Sequence, residues 1–296
     1  MIMRHWMDSP IFTYGRLREW RIFTRRQGDL PNAETGQVCF EINTYGRAVV
    51  LPGVTTEPAT HRGEVVCMCV ASGQGALLLR GEEHPLRPGN SFSILPERQH
   101  RFRNTGDGEL EFIFSRRPPA STDKSFAIHH WAEDRPKEVW GSIFQGHWHH
   151  IYRGPSCEVH IADIPPHKFS HPHSHTPVLD EIWYVHRGQG WHWMGREYRP
   201  HYPGWALWLD PSELHSLMNP TAADVEYIYA ASWALVADRN RAQKEAPLPR
   251  TTAGRLAELE RDFAELVEAY RKTDVYIFGV DQKIPRIEKL LKALKK

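Results

Sequence analysis

Apolar residues recur in short bursts along most of the chain, of the length and composition of buried strands. The clearest bursts are Ile182-Trp183-Tyr184-Val185, Trp191 to Met194 and Ala206 to Leu209. They are rich in aromatic and β-branched residues, and turn formers bound them: Gly188-Gln189-Gly190, Gly195, Pro203-Gly204 and Pro211. Near the C-terminus the period lengthens. From Thr251 onward, Leu256, Leu259, Phe263, Leu266 and Tyr270 recur at three- and four-residue steps, predicting a helix that Thr251 or Thr252 caps. After a strand-like Val275 to Phe278, Pro285 is placed to start a second helix carrying Ile287, Leu290, Leu291 and Leu294. The pattern predicts an all-β core with a C-terminal helical extension, the helices packing on that core or on a second subunit.

The pattern also repeats. His100 and His215 lie 115 residues apart, and the same offset relates Asn104 to Asn219, Pro96 to Pro211, Gly89 to Gly204 and Pro88 to Pro203. Gly73-Gln74-Gly75 recurs in that register as Gly188-Gln189-Gly190. Upstream an offset of 114 fits better, pairing Pro52 with Pro166 and His61 with His175. The chain therefore reads as one unit built twice.

Composition narrows the classes. With 296 residues the chain accommodates two domains, and a net charge of +1 with dispersed Lys and Arg gives no basic face for nucleic acid. Cys39, Cys67, Cys69 and Cys157 form no Cys-x-x-Cys pair and no disulfide framework. Cys67 and Cys69 alternate with Val66, Met68 and Val70, so they face away from any site on the Val66 side and read as apolar fillers. The start of the chain has no secretory apolar stretch, and no run reaches membrane length. These features predict a cytoplasmic protein with neither nucleic-acid nor membrane partners.

The chemistry concentrates in the second copy. His171-Pro172-His173-Ser174-His175 precedes Glu181, with His215 further on. On a strand His173 and His175 face the same side, and a closed barrel brings them to one point with Glu181 and His215. Imidazole suits Zn, Cu, Fe and Ni, and a carboxylate adds a hard, negative ligand. The first copy places Ala59 opposite His173 and Val66 opposite Glu181, so it keeps only His61 and His100.

These residues resemble the metal motifs of the cupin superfamily. Glu181 and Gly188 keep its Glu-x6-Gly spacing, and His215 and Asn219 keep its His-x3-Asn. His167 stands where the family has glycine after Pro166; five residues rather than four separate His175 from Glu181; and Glu213 replaces a glycine of the second motif. The resemblance implies two tandem jelly-roll barrels: an arm over residues 1–37, a first barrel with a degenerate site over 38–116, a linker over 117–140, a metal-bearing barrel over 141–236, and helices over 237–296. In proteins with this architecture such an arm packs across a neighbouring sheet. It further implies one divalent transition metal, Fe(II) first and Mn, Ni, Zn, Cu or Co also compatible, held by His173, His175, Glu181 and His215, with His171 left open as a replacement for His173 or His175. Glu181 doubles as a candidate base. Trp183, Trp193, Tyr227 and Tyr229 are the candidate substrate pocket, with His167 a further candidate acid–base group. The expected activity is that of a dioxygenase or other oxidoreductase acting on a small molecule, in a chain that can dimerise. The alternatives are an isomerase, lyase or decarboxylase on the same site, or a non-catalytic sugar or acid binder. His147-Trp148-His149-His150 is a secondary candidate for metal affinity.

Overall fold

The computed structural model describes residues 1–121, 123, 126–130, 147–149, 159–170, 172–175, 178–245, 251–272, 286, 289 and 293. Among the described residues strands dominate, and they form two large and two small sheets. The first large sheet runs, edge to edge, through Ile128–His130, Asn90–Ile94, Val65–Ser72, Leu110–Arg117, Thr44–Val50, Leu17–Arg25 and Ile11–Tyr14. A small sheet of His100–Asn104, Gly75–Leu79 and Glu82–Leu86 faces it to complete a barrel. The second barrel repeats this order. Its large sheet is Ile2–His5, Trp205–Leu209, Glu181–Arg187, Val225–Ala231, Val159–Ile164 and His147–His149, and its small sheet is Glu197–His201, Gly190–Met194 and His215–Met218.

The N-terminal arm belongs to both barrels. Ile2–His5 pairs with Trp205–Trp208 at the edge of the second, and Leu17–Thr24 pairs with the Thr44–Val50 strand of the first. Each barrel has its own apolar interior, Val66, Met68, Leu77, Phe92, Phe102 and Phe112 in one, Trp183, Val185, Leu207, Leu217 and Tyr227 in the other. A third cluster lies between them, where the outer faces of the large sheets meet. Cys67 and Cys69 sit in it with Ile182, Tyr184, Trp208 and Ile228, so they do point away from the barrel interior, as alternation requires.

The repeat extends to backbone detail. Gly53 and His167, related by the offset of 114, both adopt left-handed conformations, φ 69° and 59°. The Asn104 amide donates to the carbonyls of Val50 and Gly108, and the Asn219 amide donates to those of Ile164 and Ala223, each at the corresponding place. These asparagines clamp a loop to the barrel wall and explain why both copies retain one.

Among the described residues two helices run at length, Trp233–Glu245 and Thr252–Lys272. The Thr251 hydroxyl accepts the Gly254 N–H, capping the second. Of its predicted apolar face, Leu259 is buried whereas Leu256 is exposed. The predicted strand at Val275 to Phe278 lies outside the described residues, as do Cys157, His150 and His171. No helix among the described residues is long and apolar enough to cross a membrane.

Candidate metal centre in the second barrel

His173 and His215 come together through an isolated antiparallel bridge, each donating its backbone N–H to the other's carbonyl, at 3.1 and 2.9 Å. The His175 N–H donates to the Pro211 carbonyl, and Glu181 opens the strand that runs beneath them. The result is a compact cluster in which one ring nitrogen of each of His173, His175 and His215 lies within 4.8 Å of the other two. Glu181 Oε2 contacts His175 Nε2 and lies 3.6 Å from His215 Nε2. His175, His215 and Glu181 are almost wholly buried, and His173 is partly open.

The donor set fits a metal. The carbonyl of Glu213 lies 3.0 Å from His215 Nδ1, and since a carbonyl only accepts, that nitrogen carries the proton. Nε2 is thereby left with its lone pair facing the cluster, buried and with no hydrogen-bond partner among the described residues. Trp183 Nε1 donates to Glu181 Oε1 at 2.7 Å, which fixes one carboxylate oxygen and aims the other at the imidazoles. Burial alone raises a carboxyl's pKa, but His175, His215 and His173 outweigh it and hold Glu181 well below the usual carboxylate range. Burial pushes His215 down to about 3, against the pull of Glu181, so its imidazole is neutral and ready to bind a cation.

The wall of the site is mixed. Trp183 packs edge-on to Tyr227 and at 4.7 Å from Tyr229, so these three candidate pocket residues lie on the interior, where alternation from Glu181 places Trp183. Trp233, at the start of the first helix, donates its Nε1–H to the Tyr229 hydroxyl and stands against the His175 ring. Trp193 requires correction. Met194 is registered opposite His215, and directly paired residues share a face, so Gly190, His192 and Met194 point inward. Trp191 and Trp193 are therefore outside the barrel, Trp191 stacked on Tyr198. The strand carries inward a histidine that the sequence reading passed over.

His192 is fully buried, and with it comes His201, equally buried and hydrogen-bonded to the Tyr227 hydroxyl. The available signals were two: alternation around the two tryptophans, and the 115-residue register, which sets leucines opposite both histidines. His167 is exposed on its turn and does not join the cluster. His147–His149 form an edge strand of the large sheet.

The first barrel keeps the scaffold without the site. Ala59 bridges His100 as His173 bridges His215, and the Arg98 carbonyl orients His100 as the Glu213 carbonyl orients His215. His61 stacks on His100 at 5.2 Å, but Val66 replaces the carboxylate and Ala59 the third imidazole. Burial opposes protonation of both histidines, and the charge of a buried Arg116, ion-paired with Glu19, adds to that.

Comparison with known proteins agrees with this architecture. Residues 46–115 match the family model described as "Cupin domain". Protein SchB of Streptomyces halstedii is 37% identical over 97 residues, which are 32% of this chain and 70% of that protein. Among solved structures, a Pseudomonas aeruginosa protein named as glyoxylate-induced superposes with a TM-score of 0.58 at 15% identity, covering 75% of this chain and 82% of its own. Bacillus subtilis oxalate decarboxylase, a protein with Mn(II) centres, gives a TM-score of 0.57 at 12% identity, covering 84% and 82%. At such identities the likeness concerns the fold.

Proposed function

Since the chain belongs to the cupin superfamily and has the two-barrel architecture, we propose that it is a metal-dependent enzyme whose second barrel acts on a small organic molecule. The observation that carries this reading is the convergence of three imidazole nitrogens and one carboxylate in the second barrel, where the first has alanine and valine. His173, His175, His215 and Glu181 would hold one divalent metal, Fe(II) in our leading reading. Four protein ligands leave positions for substrate on a five- or six-coordinate ion. Iron held there would supply Lewis acidity and one-electron chemistry for a reaction with O2.

The chain's own residues have distinct parts. Trp183 holds Glu181 in place, so the carboxylate is available either to ligate or to accept a proton from substrate. Val185, Leu207 and Leu217 supply apolar wall that excludes water and strengthens electrostatic contacts within. Trp233 and Tyr229 brace the side of the cluster beside His175.

A second reading, a decarboxylase or isomerase using the metal as a Lewis acid alone, draws support from the oxalate decarboxylase neighbour with its Mn(II) centres. Elemental analysis of untagged protein tests the shared premise, with about one equivalent of metal per chain expected, and a chain that neither carries nor regains metal ends both readings. Oxygen electrode measurements during turnover separate them. Oxygen uptake matched to product supports the first, and turnover without uptake the second.

A further inference from the structure

Behind the metal cluster the second barrel holds a separate group of polar side chains that the proposed chemistry does not use. The His192 ring centroid lies 6.3 Å from that of His215 on one side and 6.0 Å from that of His201 on the other. Neither nitrogen of His192 has a hydrogen-bond partner among the described residues, although the side chain is fully buried. His201 spends Nε2 on the Tyr227 hydroxyl, and its Nδ1 is likewise without one. Buried polar nitrogens go unmatched rarely, and where they do the missing partner is commonly a ligand or water.

The companion barrel shows that the scaffold does not need these groups. The 115-residue register puts Leu77, Leu86 and Phe112 where the second barrel has His192, His201 and Tyr227. All three are buried core residues of the first barrel. Gly190 also bears on the case, because a Cβ there would fall 2.3 Å from the Tyr227 hydroxyl and 2.5 Å from His201 Nε2. Its missing side chain makes room for the His201–Tyr227 pair. The equivalent Gly75 is needed for another reason, since its Cβ would strike the Arg103 carbonyl and Leu110. These three polar groups have thus been accommodated in one interior and have no counterpart in the other.

We propose that His192, backed by His201 and Tyr227, is a second contact point that hydrogen-bonds an oxygen of the bound molecule while its other end occupies the metal centre. This rests on the reading of the His173–His175–His215 cluster as that centre. The site takes a small molecule with two oxygen functions: a carboxylate or similar group at the metal, and a hydroxyl or carbonyl a few atoms away. A neutral imidazole offers one donor and one acceptor, which a hydroxyl matches on both counts. His201 and Tyr227 are positioning residues that set the height and tilt of His192.

The test uses the metal-loaded full chain, titrated calorimetrically with propanoate and with 3-hydroxypropanoate. The native protein should bind the hydroxylated acid at least tenfold more tightly. His192→Leu, which installs the residue the first barrel carries, should abolish that preference while leaving propanoate affinity and metal stoichiometry unchanged. His192→Asn keeps a donor and an acceptor and should restore part of the preference; it also serves if the leucine variant fails to fold. An unchanged ratio in both variants, or loss of metal from either, would overturn the proposal. If the native chain takes up no metal, the proposed function fails on its own. The subsite is then judged by 15N resonances of the histidine rings on adding 3-hydroxypropanoate to the metal-free protein. Movement of the His192 signals supports it, and stationary signals sink it.

Discussion

The two barrels share one backbone and differ in what they enclose. In the first, the walls turn Met68, Leu77, Leu86, Phe112 and Phe114 inward; at the same register the second has Trp183, His192, His201, Tyr227 and Tyr229. The elements that close the barrel are present in both: left-handed glycines at 73 and 188 and at 89 and 204, the asparagine clamps, and a histidine oriented by the carbonyl two residues earlier. Conformation and chemistry are therefore carried by different subsets of residues. Turn and clamp positions specify the barrel, while inward positions are open to replacement provided volume is roughly kept.

This comparison can be broken most directly at the metal. His215→Ala should lower metal content more than tenfold, and His100→Ala should leave it unchanged, as read by elemental analysis after dialysis. Equal losses would mean that the first barrel also binds.

The next largest effect is expected at Asp180, which occupies the place of Val65 in the first barrel. Its fully buried carboxylate accepts the backbone N–H groups of Phe40, Glu41 and Ile42 at 2.7 to 2.8 Å and the Trp208 indole at 3.2 Å. Asp180→Ala strands those donors and should cost about 3 kcal/mol in urea denaturation. Asp180→Asn should cost less.

Acid should weaken both barrels. Burial holds His61 and His201 each at about 3, so both are neutral in the folded protein and protonate near 6.5 when it unfolds. The unfolded chain then binds more protons between those values, and stability falls as pH drops from about 6.5 toward 3. Replacing either residue with leucine should flatten that slope, measured as midpoint against pH. A slope that only one variant alters would show that a single barrel governs acid unfolding.

The smallest effect concerns the turn that departs from glycine. His167 pays a left-handed penalty that Gly53 avoids, so His167→Gly should gain about 1 kcal/mol without changing metal content.

Much of this organisation was legible in the sequence, because alternation and turn residues are local signals. The repeat and the barrel strands followed from spacing, and the grouping of His173, His175, Glu181 and His215 from spacing together with the resemblance to the cupin motifs. Which face of Trp191–Met194 looks inward did not, since two indoles on one side and a histidine on the other give conflicting cues. Pairing of Met194 with His215 settles it. The helix Trp233–Glu245 gave no periodic stripe, as its apolar residues crowd into the first turn. The Asp180 contacts join residues about 140 positions apart, and nothing in the local text around either end announces them.

Those contacts also bear on how such a chain can change over time. Asp180 adjoins Glu181, and the three backbone partners of its carboxylate, Phe40, Glu41 and Ile42, lie in the barrel that has no metal set. The half without the three-histidine and glutamate set thus supplies the footing beside Glu181, and it covers the apolar back of the same sheet. The copy that lacks the four-residue set is still tied to it, so replacing residues inside the first barrel is a smaller change than removing that barrel, which would strip the Asp180 carboxylate of those three backbone partners.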